Sequence, residues 1–397
     1  MLAGVKVLDL SRILAAPFCT QLLGDMGATV LKVEHCSSGD DTRSWGPPFT
    51  ALGHESAYFL AVNRNKKSLG VNLKHPEGAR VVQRLAERCD VLVENFPVGK
   101  LSAMGLGPET LRAASPGLVY CSLTGFGATG PYRDKLAYDV MVSGIGGLMG
   151  ITGSPEAPAK VGVAISDVCA GLYAHGAILA ALLGRQKTGL GCHIDVALLD
   201  TQIATLVNVA SSYLVAKTIP TRQGTAHSSI VPYESFRASD GEYFIAGALN
   251  DGQFARLSAV LDWAPQAKYA TNALRVEHRE ELVAALGREF AKKPKAEWIR
   301  LLELNRVPCG PINTMDQVFA DPHVQAREMC QTVHHKTAGD IEMVSPPVRF
   351  DGRQSPVRSP PPVLGEHTRE VLMSELGMSH EEYERLEREG AVGRQYL

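Results

Sequence analysis

The sequence predicts an α/β protein with an open, doubly wound parallel sheet and a smaller α+β domain. Short apolar runs with the composition of buried strands alternate with segments of helical periodicity through the first half of the chain. Such alternation is typical of βαβ units, whose neighbouring strands are parallel. The composition, with 45% hydrophobic and 21% charged residues in 397, is that of a chain that can bury a large core.

Net charge and cysteine content indicate which ligands and which cellular compartment to expect. A net charge of -2 gives no electrostatic reason to bind nucleic acid or a membrane surface. The eight cysteines form no CxxC pair, which favours reduced thiols over disulfides or zinc, and no cluster of side chains has metal-ligand spacing. Since no apolar run suits a membrane span and no signal peptide is evident, we expect a cytoplasmic protein. The mitochondrial matrix is the alternative if a presequence has been removed.

The first half of the chain supplies most strands of the predicted sheet. We predict strands at 5–10, 28–34, 68–74, 90–96 and 117–125, with helices at 17–26, 76–89 and 108–114. The junction after the first strand, Ser11 to Ala16, lacks the glycines of a dinucleotide-binding turn. This argues against a nicotinamide cofactor, while ligands of such sheets still gather at the carboxyl ends of the strands.

Two segments between these elements have an unusual composition. The basic cluster at 63–68, NRNKKS, is either a solvated loop or an anion-binding segment beside the strand ends. The glycine-rich stretch at 138–153 lacks the spacing of a phosphate loop. It predicts a closely packed helix, or backbone N–H groups that approach a reacting carbonyl.

The segment 160–189 is the centre of the prediction. The apolar run 161–165 predicts a short buried strand, and the small apolar residues of 168–183 predict a buried helix. Asp167 then lies where the strand turns into the helix. It is either an N-cap or a nucleophile that the helix dipole and free N–H groups keep ionised. The segment alone favours the cap.

The second half of the chain contains a predicted domain boundary. A strand at 193–196 and a long helix at 198–217 precede a polar loop, Thr225 to Ser229. A strand at 242–248, helices from 253, at 279–292 and at 295–305, and a chain reversal at 307–313 follow. A proline-rich extended arm at 345–364 and a capping box at Ser379 precede the last helix. We predict a large domain from 1–220 and 326–397, and a small domain at 221–325.

With these segments assembled, the chain resembles the family III CoA-transferases. The matching stretches run in family order over nearly the whole sequence: VKVLDLSRILAAPFCTQLLGDMGATVLKVE, GDDTR, NRNKKS, DVLVENF, LVYCSLTGFGATGPY, AYDVMVSGIGGLMGITG, the Asp167 segment and VPCGPIN. The resemblance implies a Rossmann-like large domain, a small domain, and a homodimer of interlocked chains. It implies no tightly bound cofactor, with coenzyme A as substrate and carrier.

The resemblance implies that Asp167 is the nucleophile rather than a cap. It would attack an acyl-CoA to form an anhydride, then an aspartyl-CoA thioester, before the CoA passes to a carboxylate acceptor. GDDTRSWGPPF, VNRNKKS, GKLSAMGLG and GTAHSSIVPY resemble the subgroup that uses succinyl-CoA and glutarate. The alternatives are a 2-methylacyl-CoA racemase and a non-catalytic CoA-binding protein. Tyr138 stands where the racemases have a histidine, and tyrosine is a poor base near neutral pH.

The resemblance also implies which residues form the binding sites. The CoA contacts correspond to Leu14, Ala15, His35, Val71, Asn72, Leu73, Lys74, Asn95, Phe96 and Pro97. His35 and Ala103 replace two phosphate-binding arginines, so the phosphates are expected at Arg43, Arg64 or Lys66. The acyl pocket corresponds to Tyr138, Asp139, His227, Ser228 and Ser229. For the distal carboxylate of a dicarboxylate we expect Arg222 and the loop 227–229, with Arg43 in reserve.

Overall fold

A computed structural model describes residues 1–393 as an α/β protein with two compact units. The first unit contains Met1–Leu148, Val161–Ala216 and the chain from Pro322 onwards. The second contains Met149–Lys160 and Lys217–Asp321. The domain limits predicted at 220 and 325 lie a few residues from these boundaries, whereas Met149–Lys160 was predicted in the large domain.

The strands of the described residues are β1 Lys6–Asp9, β2 Thr29–Glu34, β3 Lys66–Gly70, β4 Val91–Glu94, β5 Val119–Thr124, β6 His193–Ala197, β7 Tyr233–Arg237, β8 Tyr243–Gly247, β9 Cys309–Pro311, β10 Cys330–His335, β11 Gly339–Val344, β12 Arg349–Phe350 and β13 Arg353–Gln354. Strand β3 begins and ends earlier than the predicted 68–74.

The α-helices of the described residues are α1 Ala15–Asp25, α2 Ala57–Ala61, α3 Pro76–Ala86, α4 Pro108–Ala114, α5 Asp139–Ile145, α6 Leu148–Ile151, α7 Ile165–Thr188, α8 Leu198–Ala204, α9 Val207–Ala216, α10 Asp251–Val260, α11 Asn272–Glu277, α12 Arg279–Phe290, α13 Lys295–Leu304, α14 Met315–Ala320, α15 Pro322–Ala326, α16 Thr368–Leu376 and α17 His380–Arg388. The long helix predicted at 198–217 is two helices, α8 and α9.

The first unit is built on a six-stranded sheet in the order β3-β2-β1-β4-β5-β6, and each neighbouring pair is parallel. This confirms the predicted fold class, and the order is the one typical of doubly wound sheets. Both faces are covered because strand side chains alternate: Leu8 contributes to the core beneath α3, α16 and α17, and Val7 to the core beneath α1 and α7.

Helix α7 packs closely on α1. A Cβ atom at Gly171 would lie 2.6 Å from the carbonyl oxygen of Ala15, so only glycine permits this approach. One turn earlier on α7 is Asp167, and Ala15 begins α1. The absence of a side chain at Gly171 therefore brings the start of α1 towards Asp167.

Helix α7 is also the one helix of the described residues that is long and apolar enough to cross a membrane by length and composition. One third of its most apolar window is buried. The core helix of a soluble protein has the same properties, so this helix alone is weak evidence for a membrane span.

The second unit has its own core. Strands β7, β8 and β9 form an antiparallel sheet, and Phe244, Leu286 and Trp298 are among the side chains that pack with it. The strand predicted at 242–248 and the helices predicted at 279–292 and 295–305 correspond to β8, α12 and α13.

Within the proline-rich arm at 345–364, the two-residue strands β12 and β13 pair as an antiparallel hairpin that reverses the chain at 351–352. The prediction of a continuously extended arm that lies across a neighbouring chain did not include this reversal. The arm is held by its own chain: the N–H groups of Arg358 and Ser359 donate to Asn65 Oδ1 at 2.8 and 3.0 Å. The predicted N-cap Ser379 accepts the Glu382 N–H at 3.1 Å.

Candidate active site

Asp167 lines a cavity of about 310 Å³ in the first unit. The wall comes from the β1–α1 loop, the ends of β4 and β5, the loop after β5, and the first turns of α7 and α8. Among the lining residues are Arg12, Ile13, Leu14, Ala15, Asn95, Phe96, Pro97, Arg133, Asp134, Lys135, Tyr138 and Asp167. The cavity thus lies at the carboxyl ends of the strands, as expected for such a sheet.

Asp167 lies in the first turn of α7, but it is not the N-cap. The cap is Ala164, which makes no side-chain hydrogen bond. The strand predicted at 161–165 is wrong: residues 161–164 have no regular structure and Val163 is 58% exposed. Three apolar residues at 163–165 fit equally the approach to a helix, so the apolar run alone was misleading.

The environment of Asp167 raises its pKa to about 7, first because the carboxylate is buried and second because Asp139 is nearby. This is opposite to the prediction that the helix N-terminus keeps the carboxylate strongly ionised. Burial and a like charge outweigh the favourable helix dipole. A carboxyl group perturbed in this way inside a cavity is typical of a functional site.

Asp139 lies behind the cavity rather than in it. It is 6% exposed, and its Oδ1 accepts the N–H of Ser166 at 2.8 Å. Its carboxylate therefore ties the start of α5 to the start of α7, beside Asp167. Tyr138, the N-cap residue of α5, is 55% exposed and lines the cavity.

A second cavity, of about 390 Å³, shares Arg12 and Phe96 with the first. It is lined by His35, Val71, Asn72, Leu73 and Lys74, all of them expected CoA contacts. The other expected contacts, Leu14, Ala15, Asn95 and Pro97, line the Asp167 cavity. The structure therefore brings the expected CoA residues together around two neighbouring cavities, apart from Arg43.

The three cations that were expected to replace the missing arginines are occupied inside the protein. Arg43 forms two hydrogen bonds to Glu34, both of 2.7 Å. Arg64 binds Asp25 at 2.9 and 2.6 Å, and Lys66 is fully buried 3.0 Å from Asp9. Each of the three cations thus forms an ion pair with a carboxylate of the same chain. A sequence does not indicate which charged side chains pair in this way.

Other cations line the two cavities, and the sequence analysis missed them. Lys100 lines the second cavity, with its Nζ 5.5 Å from the centroid of the Phe96 ring. Arg133 and Lys135 line the Asp167 cavity from the exposed loop after β5. The sequence indicated these cations only weakly. Lys100 follows the predicted strand at 90–96, and Arg133 and Lys135 follow the predicted strand at 117–125.

The predicted loop 227–229 belongs to the second unit. The His227 ring stacks on Tyr233 at 5.6 Å, and its Nδ1 accepts the Ser229 N–H at 3.1 Å. Arg279 donates to the carbonyl oxygens of His227 and Ser228 at 3.0 and 2.7 Å. Arg279 of α12 thus holds the main chain of the loop in place, while the side chains of Ser228 and Ser229 are exposed to solvent.

Arg222 also lies in the second unit and donates to the carbonyl oxygens of Ser154 and Pro155, each at 2.9 Å. Among the described residues, no group of three or more histidine, cysteine or acidic side chains is placed to hold a metal ion.

Comparison with known proteins gives the family. The sequence profile of CoA-transferase family III matches residues 2–368. The chain is 47% identical to the human succinyl-CoA:glutarate CoA-transferase, over 94% of this chain and 86% of that protein. It is 45% identical to the succinate--glutarate CoA-transferase of Agrobacterium fabrum, over 94% of each. A CAIB/BAIF family protein of Brucella suis has a similar structure, with a TM-score of 0.85, 42% identity, and coverage of 94% and 99%.

Proposed function

The chain belongs to CoA-transferase family III, and from this premise we propose that it transfers CoA from succinyl-CoA to glutarate or a closely related dicarboxylate. The names of the human and Agrobacterium relatives, which are 47% and 45% identical, support these substrates. The observation that carries the chemistry is the cavity in which a carboxylate of raised pKa, Asp167, lies beside the expected CoA residues.

In the proposed reaction, an oxygen of Asp167 attacks the thioester carbonyl of succinyl-CoA. The C–S bond breaks, CoA leaves as the thiolate, and a succinyl–aspartyl anhydride remains. The thiolate then attacks the aspartyl carbonyl, which releases succinate and forms an aspartyl-CoA thioester. Glutarate attacks that carbonyl and again expels the thiolate, which attacks the glutaryl carbonyl to give glutaryl-CoA and free Asp167. Each intermediate stays as activated as the thioester provided that water is excluded.

A pKa of about 7 suits the nucleophilic role. A carboxylate with a higher pKa holds its electron pair less tightly and is the better nucleophile once ionised. Close to neutral pH, about half of the molecules carry the ionised form. Asp167 is partly exposed to its cavity, so we propose that the bound substrate excludes the water that would hydrolyse the anhydride.

For CoA we propose that Lys74, Lys100 and Arg12 take the place of the missing arginines. All three line the second cavity. The expected cations Arg43, Arg64 and Lys66 are already paired with internal carboxylates. Lys74 and Lys100 are exposed, and an ammonium group binds a phosphate as a point charge. Arg12 is paired with Asp41 at 2.9 Å, but both side chains of this pair are more than 40% exposed, so a phosphate can displace Asp41. Lys100→Ala should therefore raise KM for acyl-CoA with little change in kcat.

The unreacting carboxylate of each substrate needs a positive partner, because burying it alone would cost several kcal/mol. We propose Arg133 and Lys135, since both line the cavity with Asp167. The loop 227–229 remains the alternative. Arg133→Gln with Lys135→Gln should raise KM for glutarate far more than KM for pentanoate, which has the same chain length and one carboxylate. The same comparison with His227→Ala and Ser229→Ala tests the loop.

We also propose a homodimer. Apolar side chains are exposed on two helices of the first unit that contact each other, Met141 and Ile145 on α5, and Leu172 and Tyr173 on α7. Exposed apolar side chains on neighbouring helices support a protein interface. Sedimentation at micromolar concentration should give twice the mass of the chain, and a monomer would contradict the proposal.

The proposed reaction is tested by incubating the protein with a matrix of acyl-CoA donors and carboxylate acceptors, followed by mass spectrometry of the CoA esters. We expect glutaryl-CoA from succinyl-CoA and glutarate, and no such product with Asp167→Asn. Racemisation of a 2-methylacyl-CoA without exchange between acids would instead support the racemase alternative.

A further inference from the structure

The loop between β1 and α1 carries an unusual backbone conformation in the wall of the Asp167 cavity. Ile13 has a φ of 75°, in the left-handed region that β-branched residues rarely adopt. It lines the cavity with Leu14, Ala15 and Asp167. Holding such a residue in this region costs free energy, which the surrounding contacts must offset.

Two buried side chains make those contacts. The Ile13 N–H donates to the Asp40 carboxylate, at 3.1 Å to Oδ1 and 3.3 Å to Oδ2. Lys32 Nζ lies 2.9 Å from Asp40 Oδ2 and also donates to the Ser11 carbonyl oxygen at 2.8 Å. Both side chains are fully excluded from solvent. The ion pair therefore holds main-chain groups on both sides of Arg12.

Asn95 holds Arg12 itself. Asn95 Oδ1 accepts the Arg12 N–H at 2.9 Å, and Asn95 Nδ2 donates to the Arg12 carbonyl oxygen at 2.7 Å. The Ser11 N–H donates to Asp9 Oδ1 at 2.9 Å. From the Ser11 N–H to the Ile13 N–H, each main-chain polar group thus has a side-chain partner, which fixes the loop.

We propose that the Lys32–Asp40 pair is a positioning device for CoA transfer, which holds Ile13 in its left-handed conformation and so sets the wall of the Asp167 cavity. The proposal rests on the proposed role of Asp167. Displacement of a reacting group by one ångström can cost about 10²-fold in rate. A buried ion pair, in contrast, is a weak source of net stability, so stability alone is a poor reason for its presence.

The position of Asp40 adds to this argument. Asp40 also lines the second cavity, where the CoA is expected to bind, while Ile13 lines the first. Asp40 therefore lies at the lining of the second cavity, while its buried carboxylate holds the wall of the reaction cavity. Binding energy from the unreacting part of a substrate can be used at the reacting centre through such a connection.

The test compares kcat and KM for acyl-CoA in four variants. Both oxygens of Asp40 accept hydrogen bonds, so Asp40→Asn must turn its NH₂ group towards either Lys32 Nζ or the Ile13 N–H and loses one of the two partners. This variant should lower kcat by about 10²-fold and change KM by less than about 3-fold. Asp40→Glu keeps the charge opposite Lys32 but moves the carboxylate, and should lower kcat by roughly 10-fold in a folded protein. The double variant Asp40→Asn/Ile13→Gly should recover about 10-fold of the lost kcat, because glycine adopts positive φ without a partner.

Asp25→Asn is the matched control. Asp25 ends α1 outside both cavities and forms a nearly buried pair with Arg64, in which the side chains of Asp25 and Arg64 are 5% and 6% exposed. This variant should lower the melting temperature as Asp40→Asn does, with kcat within about 3-fold of the wild type. If Asp40→Asn does not fold, Asp40→Glu carries the test.

Wild-type kcat in a folded Asp40 variant would overturn the proposal, as would a double variant no faster than Asp40→Asn. Asp167→Asn is measured in parallel. If that variant retains turnover, the nucleophile is elsewhere, whereas an unchanged kcat in Asp40→Glu with inactive Asp167→Asn contradicts the positioning role alone.

Discussion

Carboxylates at the same edge of the sheet behave in two opposite ways. Asp9, Glu34 and Asp40 are buried, which alone would raise each pKa, but Lys66, Arg43 and Lys32 respectively outweigh burial and lower it. For Asp40 the pKa falls to about 2. Asp167 is only partly buried and lines a cavity, but partial burial and then the neighbouring charge of Asp139 raise its pKa to about 7.

This difference separates carboxylates that hold the structure from one that can react. A carboxylate opposite a buried cation stays ionised, accepts hydrogen bonds from the main chain, and has little tendency to attack a carbonyl. A buried carboxylate beside another carboxylate is costly to ionise. Once ionised, it has no cation that neutralises its charge, so it can act as a nucleophile. Desolvation raises the pKa in both sets, so the presence or absence of a neighbouring cation decides between the two roles.

The largest expected effect is on turnover. Asp167→Asn removes the proposed nucleophile and keeps the size of the side chain, so CoA transfer should fall by at least on the order of 10³-fold. Asp200→Asn is the matched control, since Asp200 is an exposed acid in the first turn of α8. Turnover close to that of the wild type in Asp167→Asn would remove Asp167 from the reaction.

The next largest effect is on thermal stability. Replacing a carboxylate by an amide should lower the melting temperature at Asp9 and raise it at Asp167. Asp9→Asn leaves Lys66 buried without its anion, which costs about 3–5 kcal/mol and should lower the melting temperature by roughly 5–10 °C. Asp167→Asn should raise the melting temperature at pH 8. Asp167 binds its proton more tightly in the folded chain, so its ionisation costs stability progressively as pH rises from about 4 to 7.

The stability gain of Asp167→Asn should therefore be largest above pH 7 and vanish near pH 4. Thermal melts of both variants at pH 5 and pH 8, with Asp200→Asn as the exposed control, measure the contrast. A melting temperature that falls at pH 8 in Asp167→Asn would mean that the carboxylate stabilises the fold, as the N-cap interpretation requires.

The fold was largely predictable from the sequence because it depends on patterns within single elements. The apolar runs of β1, β2, β4 and β5 and the periodicity of α3 are local, and each was located to within a few residues. The run at 161–165 failed because a short apolar segment does not distinguish a strand from the approach to a helix. The helices α8 and α9 were joined because their break, at Thr205 and Leu206, contains no proline or glycine.

The site was predictable only in part, because it depends on contacts between distant residues. The resemblance to the family predicted Asp167 and several of the residues that line the two cavities. It did not reveal that Arg43 is paired with Glu34, or that Arg133 and Lys135 line the cavity of Asp167. The pKa of Asp167 depends on Asp139, which is 28 residues earlier in the chain. A sequence lists charges but does not say which of them neutralise one another.

A third effect is the pH dependence of the reaction. The nucleophile must be ionised, so kcat/KM should rise with pH and reach half of its plateau near pH 7, where the free enzyme's Asp167 titrates. Below this point it should fall about tenfold per pH unit. Measurements from pH 5 to 9 with a non-limiting acceptor check this. A profile that is flat between pH 5 and 8 would mean that Asp167 ionises at its ordinary pKa.

The smallest and most specific effect concerns Asp139. Its charge is the second cause of the raised pKa of Asp167, after burial. Asp139→Asn removes the charge and keeps an oxygen that can accept the Ser166 N–H, so the start of α7 should stay in place. The midpoint of the kcat/KM profile should then move to lower pH by roughly one unit or less, because the burial of Asp167 is unchanged.

Asp134→Asn is the control, since Asp134 lines the same cavity with an 89% exposed side chain whose charge is screened by solvent. A midpoint that moves upwards, or moves equally in both variants, would show that Asp139 acts only through the position of α7, and the contrast between the two sets of carboxylates would then depend on burial rather than on neighbouring charge.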